Sequence, residues 1–231
     1  MNKLFTFTLI ASALLLPAAL PAKTFEGTVH MTINDGRGSS HPLDYSIKDG
    51  LLRTDIQVKS GSSATAIMDF GKDEMIVLMP GQPMYMVMPL KRTANQAAGH
   101  TGEAPAIEKT GETEKILGYD CTKYIVQSKE ATTEIWATDE LGAFMGFGGG
   151  LSGPMGKGAP TQSWEKALDG KNFFPLRVVS KTGAKEKFRL DVTGVEAKSL
   201  PASFFAAPEG YQKFDMGGMM QGLPGGNPFG Q

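Results

Sequence analysis

The sequence has a single cysteine and no excess of charge of either sign. Cys121 alone cannot form an internal disulfide, so the fold must depend on packing rather than on covalent cross-links. The 23 Lys and Arg residues are balanced by 24 Asp and Glu, which leaves a formal net charge of −1. Proteins that bind nucleic acid through its phosphates need a basic excess. Nucleic acid is therefore not an expected partner.

The sequence also lacks the patterns typical of catalytic, cofactor and metal sites. His30, His41 and His100 are scattered along the chain without the spacing of zinc ligands. No Gly-x-Ser-x-Gly motif occurs, and the Gly156-Lys157 pair lacks the upstream Gly and the following Ser or Thr of a phosphate-binding loop. Cys121 lies in a strand-like segment with no histidine nearby, which predicts a buried, inert thiol. We expect no enzyme and no resident cofactor or metal.

Only the N terminus carries a long apolar run. Leu4 to Leu16 is apolar apart from two threonines and a serine, follows Lys3, and leads into small residues that end at Ala22. This pattern is typical of a secretory signal peptide cut near Ala22, and the run is shorter than the roughly 20 residues of a membrane-spanning helix. Residues 1–22 are therefore predicted to be removed, and the mature protein is expected in the periplasm or outside the cell.

Alternating hydrophobicity and abundant turn residues predict a mainly β protein. The 29 Gly and 14 Pro residues favour turns over long helices. Apolar and polar residues alternate from Phe25 to Ile33 and on both sides of Asp49-Gly50, a pair typical of a type I′ hairpin. Further strands are predicted at Ala64 to Phe70, Met75 to Met79, Met84 to Met88, Tyr119 to Gln127, Thr132 to Ala137, Pro175 to Ser180 and Glu186 to Val195. Met75 to Met79 is apolar at every position, so both faces of that strand are expected to be covered.

The remaining segments predict short helices, loops and a tail. Short helices are expected from Asp139 as N-cap to Phe147, at Ser163 to Leu168, and after a capping Ser199. Loops are expected at 91–113 and 148–160, and a disordered Gly- and Met-rich tail at 216–231. Roughly ten strands and few helices predict a mainly β (α+β) fold within one domain, residues 23–215. Its curved antiparallel sheet would form an incomplete barrel around the short helices.

Methionine is the unusual component of this sequence. Five of the 13 methionines lie between residues 75 and 88, and Met84, Met86 and Met88 share one face of their strand because side chains alternate. Methionine fills irregular cores, lines adaptable binding surfaces and, as a soft ligand, binds Cu(I). Trp136 similarly suits either core packing or the wall of a cavity. The candidate ligand-binding residues are Met75, Met79, Met84, Met86, Met88 and Trp136, with plain core packing and, less favoured, copper binding as alternatives.

Three segments resemble a known family. Thr113 to Val126, Thr133 to Ala137 and Leu200 to Tyr211 resemble an exported bacterial family designated DUF4412, a domain of unknown function, and the similarity covers most of residues 24–215. That family in turn resembles the LolA and LolB superfamily of lipoprotein carriers, whose curved antiparallel sheet holds acyl chains in its concavity. The resemblance implies a non-enzymatic module for a hydrophobic ligand, such as a lipid, an acyl chain or an apolar peptide.

Two classes of function therefore stay open. A carrier is expected to show a void of several hundred Å³ walled by methionine and aromatic side chains, since ligand pockets have that size and lining. The alternative is an envelope interaction or structural protein whose interior is merely packed and whose partner is another protein.

Overall fold

The computed structural model describes residues 25–57, 63–90, 105–128, 131–147 and 163–214. In these ranges the chain forms β1 (Gly27–Asn34), β2 (Ser40–Lys48), β3 (Leu51–Gln57), β4 (Ser63–Asp69), β5 (Glu74–Leu78), β6 (Met84–Pro89), β7 (Ile107–Ile116), β8 (Tyr119–Gln127), β9 (Thr132–Thr138), α1 (Ser163–Leu168), β10 (Phe174–Thr182), β11 (Lys185–Ala197), a 3₁₀ helix (Ala202–Phe205) and β12 (Gln212–Lys213). The predicted signal peptide, the Gly-rich loop at 148–160 and the tail at 216–231 lie outside the described residues. None of the described helices is long and apolar enough to cross a membrane.

All the strands belong to one open sheet. Their order is β12-β6-β5-β4-β3-β2-β1-β11-β10-β9-β8-β7, and neighbours are antiparallel except for β12, which pairs in parallel with β6. Two meanders, β1 to β6 and β7 to β11, thus join side by side where β1 pairs with β11. The predicted mainly antiparallel β class is confirmed.

Glycines lie where the backbone demands them. Asp49 and Gly50 both have positive φ, 45° and 77°, so the predicted type I′ hairpin forms between β2 and β3. Gly27 interrupts the apolar alternation of β1 because a Cβ there would collide with the carbonyl oxygen of Glu196 on β11. The first strand therefore depends on a glycine for its close approach to β11.

The main core lies on the concave side of the sheet. Helix α1 and the segment 139–147 pack there against alternate residues of the central strands. The ring of Tyr45 on β2 lies 5.5 Å from the ring of Phe174 on β10, although three strand spacings of a flat sheet span about 14 Å. Rings from distant strands meet in this way because the sheet curls toward them.

The helix predicted from Asp139 to Phe147 is wrong. The segment forms one turn, in which the Gly142 amide donates to the Asp139 carbonyl, and then continues without regular structure. Gly142 and Gly146 adopt φ of 75° and 70°, and this left-handed backbone cannot continue an α-helix. The predicted helix at Ser163–Leu168, by contrast, is confirmed, and Gly170, with a φ of 69°, lies in the turn that follows it.

The loop predicted at 91–113 is wrong from Ile107 onward. Residues 107–113 belong to β7, which pairs with β8 in spite of its polar composition. The pairing shifts register between Lys109 and Thr113, where Gly111 has a φ of 82°. This bulge breaks the alternation from which the strand would have been predicted. Residues 91–104 lie outside the described residues.

A C-terminal segment covers the outer face of the first meander. Residues 198–214, here named the C-terminal strap, run from the end of β11 to the edge of β6. Leu200 and Phe205 of the strap bury Ile67 of β4, and half-buried Ile76 of β5 packs against the same cluster. Met75, its neighbour, is buried in the main core. The prediction that both faces of this strand are covered is thereby confirmed.

Polar contacts anchor the strap to β1, β2 and β3. The Glu26 carboxylate accepts hydrogen bonds from the Leu200 amide at 2.6 Å and from Lys48 Nζ at 2.9 Å. Ser199, predicted as a helix cap, donates instead to Glu26. Arg53 Nη1 donates to the Phe204 carbonyl at 3.0 Å, and its guanidinium lies 4.4 Å from the Phe204 ring. Hydrogen bonds at Leu200 and at Phe204 therefore hold the strap in place over Ile67.

Candidate functional site

The five predicted methionines of this region lie on one face of β5 and β6. Met75 is paired with Met88 and Val77 with Met86, and the Met79 amide donates to the Met84 carbonyl at 2.9 Å. Side chains alternate along a strand, and contacts with the main core place this face on the concave side. We name the set the methionine wall: Met75, Val77, Met79, Met84, Met86 and Met88.

Burial varies along the methionine wall. Met75 is 1% exposed and Met86 is 8% exposed, whereas Val77, Met79, Met84 and Met88 are half-buried. Met68 of β4 pairs with Met75 and is fully buried, so the thioether surface extends onto a third strand. Sequence reasoning missed Met68, although its place in the alternating pattern of the predicted strand at 64–70 was available as a signal.

Aromatic rings fill the concave side over the central strands. Phe144, Phe147 and Trp164 form a cluster that we name the aromatic plug. Its ring centroids lie 5.1 to 6.3 Å apart, and Phe144 packs equally closely on Tyr45 and Phe174. Trp164 is 0% exposed. The expected open void is replaced at this place by the protein's own side chains.

Tyr45 holds the irregular part of the aromatic plug. Its hydroxyl accepts a hydrogen bond from the Met145 amide at 3.1 Å and donates to the Gly146 carbonyl at 3.2 Å. Burial raises the pKa of Tyr45, so the hydroxyl keeps the proton that it donates. The Phe147 amide donates to the Glu165 carboxylate at 3.4 Å. A few hydrogen bonds, rather than a helix or a strand, therefore fix residues 144–147.

Small side chains connect the aromatic plug with the methionine wall. Tyr45 is paired with Thr54, Thr54 with Ala66, and Ala66 with Val77. Val77 is in turn paired with Met86. Adjacent strands lie about 4.8 Å apart, so this row spans about 19 Å from Tyr45 to Met86. Thr54 and Ala66 are short, but both are buried, at 2% and 6% exposed, so the protein's own atoms cover this stretch between plug and wall.

Trp136 does not lie with the methionines. It alternates with Ile135, which is buried in the main core, and it is only half-buried itself. Lys123 Nζ lies 5.6 Å from its ring and ion-pairs with Glu112 and Glu134. Trp136 thus lies beside charged side chains, while part of it packs against the main core, and it is not brought together with the methionines.

The tryptophan inside the molecule is Trp164. Trp164, Ala167 and Leu168 are the buried residues of α1, and this spacing of three and four residues is typical of a buried helix face. The spacing was visible in the sequence and would have identified Trp164 as a core residue.

The described residues offer little for nucleophilic or metal chemistry. Cys121 is buried, as predicted, and burial raises the pKa of its thiol. In the parts of the chain that are described, no three His, Cys, Asp or Glu residues lie close enough together to hold a metal ion. His30 instead forms a 2.7 Å hydrogen bond with Asp44.

Comparison with known proteins identifies a family and several distant structures. Residues 25–211 match the domain of unknown function DUF4412. No curated protein gives a significant match. A crystal structure of PNGF-II matches with 13% identity and a TM-score of 0.45, over 86% of this chain and 32% of that one. This chain thus spans about a third of PNGF-II.

Two further solved structures match over nearly their whole length. A LolA superfamily protein from Nitrosomonas europaea shares 10% identity with a TM-score of 0.34, over 81% of this chain and 91% of that one. A DUF1329 family protein from Desulfovibrio piger shares 11% identity with a TM-score of 0.30, over 80% of this chain and 91% of that one.

Proposed function

This chain belongs to the DUF4412 family of domains of unknown function, and we propose that it is an exported, non-enzymatic module that binds a long apolar chain on the concave face of its sheet. An acyl chain of a lipid or an apolar peptide segment has the required chemistry. The observation that carries the proposal is the row from Tyr45 to Met86, which joins the methionine wall to the aromatic plug through the short, buried side chains of Thr54 and Ala66.

In this proposal the ligand lies along the methionine wall and takes the place of Phe144 and Phe147. Exposing two phenylalanine side chains costs about 3–6 kcal/mol, while each methylene group buried from water contributes about 0.8 kcal/mol. About four to eight methylenes therefore offset the displacement of the rings. The site should accept chains of about ten or more carbons and exclude much shorter ones.

The composition of the wall suits a ligand of variable shape. Methionine has three rotatable bonds and a polarizable sulfur, so it adapts to different apolar surfaces better than branched side chains do. Half-burial of Met79, Met84 and Met88 leaves these side chains room to move. The proposed ligand is therefore a class of compounds that share a long apolar chain.

The experiment is displacement of a fluorescent fatty acid methyl ester by saturated fatty acid methyl esters of increasing chain length. We expect displacement by chains of twelve to sixteen carbons and none by a six-carbon chain. Met84→Lys should weaken binding at least tenfold, because it places a charge on a half-buried position of the wall. Phe70→Lys is the matched control, since Phe70 lies exposed in a turn, and it should bind like the native protein.

Tyr45→Phe separates this proposal from simple packing. Removal of the hydroxyl frees the Met145 amide and the Gly146 carbonyl, so the plug becomes easier to displace and the chain should bind more tightly. Circular dichroism must show each variant folded. A folded native protein that takes up no chain of any length would overturn the proposal, as would a Met84→Lys variant with native affinity.

Full burial of the plug favours a second candidate, an interaction protein with a packed interior. Its partner would then be an envelope protein bound through loops or the tail. Pull-down with and without residues 216–231 distinguishes the two, because a carrier should not need that tail. If capture depends on the tail and no apolar chain binds, the interaction function replaces the carrier function.

Five thioethers on one face also favour a test for Cu(I). Titration of the native protein is compared with a variant in which Met84, Met86 and Met88 are all replaced by Leu. Unchanged affinity would exclude a copper site on the wall, and loss of affinity would support one.

A further inference from the structure

The buried indole N–H of Trp164 has no hydrogen-bond acceptor. Among the residues that the structure describes, Trp164 Nε1 is the buried side-chain nitrogen or oxygen found without a partner. Buried polar groups are paired in the large majority of cases, since an unpaired donor forfeits its hydrogen bonds with water. An unpaired donor at the centre of a core therefore calls for an explanation.

Aromatic rings surround this indole. Phe144 stacks on it with a centroid distance of 5.7 Å, Phe147 meets it edge-on at 6.3 Å, and Phe188 lies at 6.0 Å. A phenylalanine side chain has no oxygen that can accept a hydrogen bond. The packing thus explains the burial of the indole and leaves its N–H unused.

The two rings that the proposed function displaces are neighbours of this indole. A chain that takes the place of Phe144 and Phe147 comes to lie against Trp164. The ligand atoms nearest to the indole then decide whether Nε1 gains an acceptor. Glu165, whose carboxylate accepts from the Phe147 amide, is the acidic group beside the plug and disfavours a second carboxylate there.

We infer that the ligand is an acyl ester or amide whose carbonyl oxygen accepts a hydrogen bond from Trp164 Nε1. This inference rests on the proposed function and names the chemical class of its ligand. A neutral carbonyl satisfies the donor without bringing a charge into the core. A plain hydrocarbon leaves the donor unpaired, and an ionised fatty acid brings a second negative charge close to the Glu165 carboxylate.

The test uses the protein's two tryptophans, Trp136 and Trp164. Indole-¹⁵N labelling gives two N–H signals, and Trp136→Phe assigns them. Methyl dodecanoate and an alkane of the same carbon number are added in turn to the labelled protein. We expect a downfield shift of the Trp164 signal with the ester alone, while the signal of half-buried Trp136 stays in place as an internal control.

Affinity provides a second readout. Methyl dodecanoate should displace the fluorescent methyl ester at least fivefold more effectively than the alkane. Trp164→Phe keeps an aromatic ring and lacks the N–H, so it should reduce this ratio to about one. If Trp164→Phe does not fold, the shift of the Trp164 N–H signal in the native protein decides whether the inference holds.

The outcomes separate the inference from the proposed function. If ester and alkane both bind and shift the Trp164 signal equally, or not at all, the inference is overturned and the apolar site stands. If neither binds, the proposed function itself fails.

Discussion

The concave face has two ends that are built from different side chains. At one end the aromatic plug packs rigid, buried rings over Tyr45, and at the other the methionine wall presents flexible thioethers, of which Met79, Met84 and Met88 are half-buried. Rings stack in few preferred arrangements, whereas methionine adopts many. This difference indicates that the aromatic end fixes one packing arrangement, while the methionine end can change shape without unfolding the protein.

Trp164→Ala should have the largest effect on the stability of the protein. Removal of a fully buried indole costs about 3–5 kcal/mol of unfolding free energy, because a cavity remains among the surrounding rings. Urea denaturation measures the change. The matched control is Trp136→Ala at a half-buried position, for which about 1 kcal/mol is expected. Equal losses would show that the plug is not the more rigid part.

Tyr45→Phe should have the next largest effect on stability. It leaves the Met145 amide and the Gly146 carbonyl without their shared partner, at a cost of about 1–3 kcal/mol. Tyr124→Phe, in a half-buried ring that stacks on Phe173, is the control and should change stability by less than about 0.5 kcal/mol. Similar losses in both variants would contradict the holding role of Tyr45.

Mild oxidation should modify the methionines of the wall in the order of their exposure. Sulfoxide formation follows exposure, so Met79 and Met84 should be modified before Met75, which is 1% exposed. Peptide mass spectrometry over a time course of peroxide treatment gives the order. Oxidation of Met75 as early as Met84 would mean that the wall opens along its whole length.

The smallest expected effect is a pH dependence of stability, and it should not involve either end of the concave face. On the outer face, the hydrogen bond with Asp44 raises the pKa of His30, with a contribution from Glu196. This contribution to stability is complete below the ordinary histidine pKa of 6.5 and is lost as pH rises through the raised value.

The variant for this test is His30→Gln. It should lower the melting temperature more at pH 5.5 than at pH 8.5, and binding of apolar chains should stay constant over that range. A larger loss at the higher pH would contradict the assigned protonation.

Much of the fold was predictable because local pattern and tertiary structure agree. Asp49-Gly50 predicts its hairpin, since both residues tolerate positive φ. Alternation likewise predicts that Met84, Met86 and Met88 share a face, and the register adds Met75 and Met79 opposite them. The family resemblance is confirmed by the match over residues 25–211.

The failures arise where tertiary contacts overrule local pattern. Strand β7 is polar because the charges of an edge strand face solvent, and its bulge hides the alternation. The segment 139–147 has the apolar spacing of a helix, but its glycines turn it into an irregular stretch held by Tyr45. The inward-facing tryptophan is Trp164 of α1, which the spacing of Trp164, Ala167 and Leu168 would have indicated.

The C-terminal strap makes the order of synthesis matter. Gln212 is paired with Met84, and all of β7 to β11 is translated between these two residues. Until the last part of the chain leaves the ribosome, the apolar surface at Ile67 stays bare and the edge of β6 can pair with another chain. A nascent chain of this topology therefore benefits from staying unfolded until it is complete, and a protein shortened within the strap should aggregate rather than simply lose stability.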